Sequence, residues 1–186
     1  MVVTILAEAR SGSTNLTNWF FYNKNFTALF EPMNDQSISY QKGISPREYK
    51  YSTEHLCIKE VYYSHKQWDE LIAMSDKVIL LYRENEAEQI ESFVNAIQFK
   101  NWDKQYVYRG IKKDAFDSNR AYFKKIKEEF KEKYLSKDYF RVSYEELYYR
   151  NGFQRVVDYL ELECVKNENF PYGQKYRVNL VPNKLL

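Results

Sequence analysis

A short polar segment near the amino terminus, RSGSTN at residues 10–15, carries residue types that bind anions. Gly12 lets the backbone come close to a ligand, and the hydroxyls offer hydrogen bonds. The helix predicted to follow leaves about four backbone N–H groups unpaired, and these would point at the segment. A phosphate or sulfate would fit there, although an ordinary strand-to-helix connection with a Ser or Thr N-cap explains the residues equally well. We call this segment the anion loop; it consists of Arg10, Ser11, Gly12, Ser13, Thr14 and Asn15.

Four charged residues are predicted to lie at one edge of a parallel sheet. Arg10, Glu31, Lys59 and Arg83 each lie near the end of a segment with a strand pattern. Because ligands of parallel α/β sheets bind beyond the carboxyl ends of the strands, we expect these side chains to lie together. Ser92 lies on the helix after Arg83, and its hydroxyl and the Arg83 guanidinium would converge on one phosphate. A surface salt bridge at Arg83 and a Ser92 that merely caps or packs would explain the two residues as well.

The anion loop lacks the features of a nucleoside triphosphate site. The Walker A pattern GxxxxGK[ST] is absent, and no Lys precedes the Ser and Thr residues. The most apolar strand pattern, KVILLY at residues 77–82, is followed by Arg83 instead of an acidic pair for Mg²⁺. We therefore expect a site without metal for a ligand with two anionic groups.

The hydrophobic patterns that must position these residues alternate between strands and helices. Strand patterns occur at residues 2–7, 26–30, 55–62, 77–82 and 139–143. Helical patterns occur after the anion loop, after Pro46, and at residues 67–74, 85–97, 114–135, from 144 and at 153–160. The helix at 85–97 has a capping-box pattern and a predicted buried stripe of Ile90, Phe93, Val94 and Ile97. This alternation predicts a three-layer α/β domain with a mostly parallel central sheet flanked by helices.

The composition favours one domain covering residues 1–186, since 44% of the residues are hydrophobic and 18% are aromatic. The formal net charge is only +2 and no run of like charges resembles a nucleic-acid arm, which argues against a nucleic-acid partner. No apolar stretch approaches the roughly 18 residues of a membrane span, and no signal-peptide pattern is present, so we expect a soluble cytoplasmic protein. Cys57 and Cys164 are predicted to be buried thiols, and a chain with two histidines is a poor candidate for a zinc enzyme.

Several segments resemble motifs of sulfotransferases that use 3′-phosphoadenylyl sulfate (PAPS). RSGST after an amino-terminal strand resembles their 5′-phosphosulfate loop. LYRENEAEQIESFVNA at residues 81–96 resembles their 3′-phosphate segment in its bacterial Stf0-like form, and a Trp follows in NAIQFKNW. LFEPMN and VSYEELYYRNGFQRVVDYLEL resemble the Phe-Glu-Pro segment and the YE-D/E-L helix of carbohydrate sulfotransferases. The resemblance covers most of the chain up to about residue 163, and the chain is short for this family.

The resemblance implies a P-loop-like fold and transfer of a sulfuryl group from PAPS to a hydroxyl or amine, with release of adenosine 3′,5′-bisphosphate (PAP). It implies that the anion loop binds the 5′-phosphosulfate and that Arg83 and Ser92 bind the 3′-phosphate. Lys59 would reach the bridging or sulfuryl oxygens. The tail lacks the Arg-Lys-Gly signature that closes over the 3′-phosphate in cytosolic members; Lys175 and Arg177 are candidates to replace it, or are surface charges.

A base must take the proton of the acceptor. Glu31 is our first candidate because it ends a strand and matches the Phe-Glu-Pro segment, and desolvation there would raise its pKa toward the working range. His65 follows the Lys59 strand and is the second candidate, whereas His55 precedes that strand and should lie at the opposite edge. Glu31 could instead cap a helix or pair with Arg10.

Two other functions fit the sequence and stay open. One is a P-loop-type nucleotide kinase, and the other is a nucleotide-binding module without catalysis on a degenerate sulfotransferase fold. For an enzyme, residues 35–54 and 100–114 are the predicted walls of the acceptor site. Their Tyr, Trp and polar residues suit a sugar or another hydroxylated small molecule.

Overall fold

The computed structural model describes residues 1–24, 26–34, 42–43, 45–62, 68–99, 113–150 and 152–162. The strands in these ranges are β1 (Val2–Ala7), β2 (Thr27–Phe30), β3 (Leu56–Val61), β4 (Lys77–Tyr82) and β5 (Phe140–Ser143). The helices are α1 (Ser13–Asn23), α2 (Pro46–Ser52), α3 (Asp69–Met74), α4 (Glu86–Phe99), α5 (Lys113–Phe130), α6 (Tyr144–Tyr149) and α7 (Gly152–Tyr159). A π-helical turn at Lys131–Leu135 extends α5.

The strands form one sheet in the order β2-β3-β1-β4-β5, and every neighbouring pair is parallel. In the register, Ile5 of the central strand β1 lies between Lys59 of β3 and Ile79 of β4. All residues of β1 and β3 are buried, as expected for strands covered on both faces. The predicted α/β architecture is therefore confirmed.

Alternate residues of β1 face two different cores, which makes the domain three layers deep. Val3, Ile5 and Ala7 pack with Trp19 and other buried residues of α1, α6 and α7. Leu6 packs on the other face, in a cluster that includes Trp68 at the start of α3 and residues of α5 and its π-helical turn. No helix in the described part of the chain combines the length and apolar character of a membrane span.

The stripe predicted for α4 is correct except at its end. Ile90, Phe93 and Val94 are buried in one cluster with Val61 and other residues, but Ile97 is 40% exposed. Ile97 lies one turn beyond Phe93 and outside that cluster, so the prediction that it is buried is wrong. Gln89, Ser92 and Ala96, which share a second face of the helix, are buried instead. This face is the one that α4 turns toward the anion loop, as the contacts described below show.

Candidate anion-binding site at the carboxyl edge of the sheet

The anion loop reverses the chain between β1 and α1 with two left-handed residues. Arg10 has a φ of 62° and Gly12 a φ of 81°, and Gly12 is the N-cap of α1. Ser11 Oγ is buried and donates to the carbonyl of Glu8 at 2.7 Å, so this hydroxyl stabilises the turn. No side chain of the described residues caps α1, so the alternative of a Ser or Thr N-cap is not what forms here.

Gly12 lies directly against two tyrosine rings. A Cβ atom at this position would be 2.9 Å from Tyr148 Cε2 and 3.0 Å from Tyr144 Cδ2. The two rings, both from α6, have their centroids 4.4 Å apart. Glycine is therefore required here by close approach as well as by its positive φ. The sequence predicts that Gly12 lets the backbone come close to a ligand, but it does not predict the contact with these tyrosines.

Lys59 and Glu31 meet beside the anion loop. The Lys59 ammonium contacts Glu31 Oε1 at 2.5 Å and Thr14 Oγ1 at 3.4 Å. The side chain of Lys59 is 6% exposed and that of Glu31 is 21% exposed. Glu31 Oε2 accepts a second bond from Asn34 Nδ2 at 2.7 Å, and Glu31 has a left-handed φ of 51°. The strand ends thus place these two predicted site residues together.

Arg83, which follows β4, is held on several sides. Its Nη2 donates to Glu88 Oε2 at 2.7 Å and its Nη1 to the carbonyl of Arg10 at 3.4 Å. Its Nε lies 3.7 Å from Glu145 Oε1. The guanidinium carbon stands 4.5 Å from the ring centroid of Tyr144, at a distance typical of a cation–π contact. Arg83 is an ion-paired residue in this state, and its side chain is only 12% exposed.

Arg10 joins the anion loop to α4. Its Nε donates to Ser92 Oγ at 2.9 Å, and Ser92 is buried. Since Arg83 also donates to the Arg10 carbonyl, the three residues form one connected group. The guanidinium of Arg10 therefore lies on the side of the loop that faces Ser92. The sequence resemblance, by contrast, assigns Arg10 to the 5′-phosphosulfate.

Glu8 is a buried carboxylate that sequence reasoning misses. Its Oε2 accepts from the Arg83 backbone N–H and from Gln89 Nε2, both at 3.0 Å, and the Lys127 ammonium is 3.7 Å away. Lys127 also donates to the Arg83 carbonyl at 2.8 Å and to Gln89 Oε1 at 2.9 Å. Burial raises the pKa of Glu8, whereas Lys127 and these hydrogen bonds oppose the rise. The one feature of the sequence that could have indicated this role is the position of Glu8 immediately after a buried strand.

Glu145 fixes the turn between β4 and α4 from the far side. Its carboxylate accepts from the backbone N–H groups of Glu84 at 2.9 Å and Asn85 at 3.0 Å. Burial acts to raise the pKa of Glu145, but the backbone hydrogen bonds and Arg83 outweigh it and lower that pKa. Half of the capping box predicted for α4 forms, because Asn85 Oδ1 accepts from the backbone N–H of Glu88 at 3.2 Å. The other half is wrong, since the Asn85 N–H bonds Glu145 and the Glu88 carboxylate bonds Arg83.

Comparisons with known proteins give similarity in structure alone. No family model matches the chain, and no curated protein matches it in sequence. The mouse sulfotransferase SULT7A1, solved in complex with PAP, matches with a TM-score of 0.58 and 14% identity over 88% of this chain and 59% of that one. The fold is sulfotransferase-like. A shikimate kinase from Bacteroides thetaiotaomicron also matches, with a TM-score of 0.49 and 13% identity over 87% of this chain and 99% of that one.

The match establishes the architecture, and the P-loop-like fold implied by the sequence motifs is confirmed. This chain spans about three fifths of the length of the mouse sulfotransferase. His65, Lys175, Arg177 and Cys164 lie outside the described residues, as do residues 35–41, 44 and 100–112 of the predicted acceptor walls. Within the described ranges, no group of three or more His, Cys, Asp or Glu side chains could hold a metal ion.

Two open cavities of the described structure lie away from the anion loop. One of about 570 Å³ lies at the amino ends of β4 and β5, between Val78 and Phe140. Another of about 540 Å³ lies beside Tyr82 and Leu135. At Gly12, the tyrosines of α6 occupy the space next to the loop. The candidate site is defined by its converging polar groups and by its place at the sheet edge.

Proposed function

We propose that this protein is a sulfotransferase that moves the sulfuryl group of PAPS to a hydroxyl acceptor and releases PAP. The contact between Arg10 Nε and Ser92 Oγ carries the proposal. It joins the loop assigned to the 5′-phosphosulfate with the helix assigned to the 3′-phosphate. A ligand with phosphate groups at both ends of one nucleoside would bridge these two neighbouring groups. The sulfotransferase-like fold, found also in a protein solved with PAP, supports this choice of ligand.

At the 5′ end, the proposed ligand lies between the first turn of α1 and Lys59. The helix N-terminus favours negative charge, and its free N–H groups suit the phosphosulfate oxygens. An ammonium has three N–H donors, and two of those of Lys59 are directed to Glu31 and Thr14. The third would bind the bridging oxygen, where negative charge develops as the S–O bond to the phosphate breaks.

Glu31 is the proposed base. As the new S–O bond to the acceptor forms, the acceptor hydroxyl proton would pass to the Glu31 carboxylate, and PAP would leave with the electron pair of the broken bond. The ion pair with Lys59 keeps this carboxylate in place. Glu31 is exposed enough, at 21%, for an acceptor hydroxyl to reach it. The acceptor is proposed to be a hydroxylated small molecule, with a carbohydrate as one candidate.

At the 3′ end, Arg83 and Ser92 are the proposed phosphate ligands, with Arg10 beside them. Charged hydrogen bonds of this kind contribute about 1.5–3 kcal/mol each. Removal of either side chain should therefore weaken PAP binding by about tenfold or more. The 3′-phosphate subsite would select PAPS over nucleotides that lack this group.

Calorimetric titration with PAP in the presence of a chelator tests the proposal. We expect stoichiometric binding to the wild type, strongly weakened binding in Arg83→Ala and Ser92→Ala, and unchanged binding in Arg47→Ala. Arg47 is a matched control because it pairs with Glu70 on the surface and is 70% exposed. Absence of PAP binding, or equal binding in all four proteins, would contradict the proposal. Binding of ATP that requires Mg²⁺, without PAP binding, would indicate a nucleotide kinase instead.

Transfer of label from radioactive PAPS to a panel of sugars and other hydroxylated compounds tests the chemistry. Glu31→Gln should lose most of its turnover and keep its affinity for PAP, because the base acts only in the transfer step. Binding of PAP with no transfer to any acceptor would indicate a nucleotide-binding module without catalysis.

A further inference from the structure

We infer that Glu88 competes with the 3′-phosphate for Arg83 and must move aside when the nucleotide binds. The inference rests on the proposed function, since it assigns a competitor to the same subsite. Glu88 Oε2 lies 2.7 Å from Arg83 Nη2, which is the distance at which a phosphate oxygen would bind that nitrogen. The carboxylate therefore stands where the ligand is proposed to stand.

Glu88 is the exchangeable partner among the groups around Arg83. Glu145 is only 13% exposed and is fixed by two backbone N–H groups, and Tyr144 covers one face of the guanidinium. Glu88 is 61% exposed, and the described structure shows no bond to its carboxylate other than that from Arg83. Its side chain can rotate toward the solvent without breaking a contact to the backbone. The N-cap of α4 uses only its backbone N–H, so the cap survives this movement.

The local charge balance favours an anion once Glu88 has moved. Arg10, Arg83 and Lys127 bring three positive charges to this region. Glu8 and Glu145 stay in place, and both are buried or nearly so. When Glu88 turns away, Arg83 loses the negative charge of its most exposed partner. A phosphate would supply the missing negative charge.

Such a competitor lowers the affinity of every ligand that carries a 3′-phosphate, including the product PAP. Exposed ion pairs are weak, so the expected effect is an affinity about two- to fivefold below that of a site without the carboxylate. The interaction is also screened by salt, because Glu88 faces water. In the catalytic cycle, the Glu88 carboxylate would occupy the empty 3′-phosphate subsite and assist the release of PAP.

Glu88→Gln tests the inference, with Glu86→Gln as its control. Glu86 lies in the same first turn of α4 and its loss removes the same charge, but it pairs with Lys124 at 3.8 Å and not with Arg83. PAP and adenosine 5′-monophosphate are titrated into both variants and the wild type at low and high salt. We expect Glu88→Gln to bind PAP about two- to fivefold more tightly than Glu86→Gln at low salt, with a smaller gain at high salt. Affinity for adenosine 5′-monophosphate, which lacks the 3′-phosphate, should be equal in the two variants.

Two results would overturn the inference while leaving the proposed function intact. One is that PAP binds the wild type and Glu88→Gln with equal affinity. The other is a gain for adenosine 5′-monophosphate as large as the gain for PAP, which would indicate a general effect of charge. Failure of all three proteins to bind PAP would instead overturn the proposed function and this inference with it.

Discussion

Replacement of Lys127 by methionine should destabilise the protein by leaving a buried carboxylate without its cation. Methionine keeps much of the length of the side chain but removes the ammonium, which lies 3.7 Å from Glu8 and donates to Arg83 and Gln89. The Glu8 side chain is 4% exposed, so water cannot replace the lost partner. This perturbation acts on the group that holds the anion loop, β4 and α4 together.

The expected loss in the free energy of unfolding is about 3 kcal/mol near neutral pH. Loss of one member of a buried ion pair costs about 3–5 kcal/mol, and we count the two lost hydrogen bonds within this range. The lower end applies because Lys127 is 19% exposed and its distance from Glu8 is long for an ion pair. For a chain of this size, the loss corresponds to a fall in Tm of about 6–12 °C.

The loss should shrink as the pH falls. Burial already raises the pKa of Glu8 above its ordinary value of 4.5, and Lys127 opposes that rise. A carboxylate whose pKa is higher in the folded state binds a proton more tightly on folding, so stability increases as the pH falls through the folded pKa toward 4.5. Removal of Lys127 raises the folded pKa further. The deficit of Lys127→Met should therefore be larger at about pH 8 than at about pH 5.

Urea unfolding followed by tryptophan fluorescence measures these differences, since Trp19 and Trp68 are fully buried. Lys124→Met is the control: it lies on the same helix, is 46% exposed and pairs with Glu86 on the surface. Its loss should stay below about 1 kcal/mol. A Lys127→Met protein as stable as the control, or a deficit that grows toward low pH, would refute this role of Lys127.

Gly12→Ala should lower the free energy of unfolding by about 1–3 kcal/mol and abolish PAP binding in calorimetry, because the added Cβ atom meets both tyrosines of α6. Binding of PAP with wild-type affinity would contradict this prediction. Ser143→Ala should lower the free energy of unfolding by about 1–2 kcal/mol in urea, since Ser143 forms the capping box of α6 and also bonds Glu84. Cys57 should resist alkylation in the folded protein, because it is buried and burial raises the pKa of its thiol. Mass spectrometry of its peptide checks this, and labelling of Cys57 before unfolding would show that the strand opens.

The strands can be predicted from the sequence because burial on both faces leaves a simple signal. KVILLY forms β4 without interruption, and the shorter apolar runs form the other strands within a residue or two of the predicted bounds. Helical stripes are equally clear where a helix lies along the sheet, as at Ile90 and Phe93. The periodicity does not show where a helix leaves its neighbours, and for that reason Ile97 is predicted wrongly.

The candidate site is predictable as far as the topology determines it. Parallel strands bring their carboxyl ends to one edge, so the meeting of Glu31 with Lys59 follows from the strand pattern. The partners of Glu8 could not be predicted in this way. Gln89 and Lys127 come from two helices whose rotation and side-chain conformations decide the contact, and no local pattern records them. The roles of Glu31, Lys59 and the anion loop in catalysis and binding stay predictions.

The left-handed backbone at Arg10 and Glu31 has an evolutionary consequence. Among the described residues with side chains larger than that of glycine, these two adopt a positive φ at strand ends in the proposed site. Each such conformation costs about 1 kcal/mol or more, which glycine would avoid. Selection for folding alone should therefore enrich glycine at both positions, whereas selection for turnover should restore the charged side chains. Parallel selections from one mutant library would reveal whether thermal robustness and activity are opposed at these two positions.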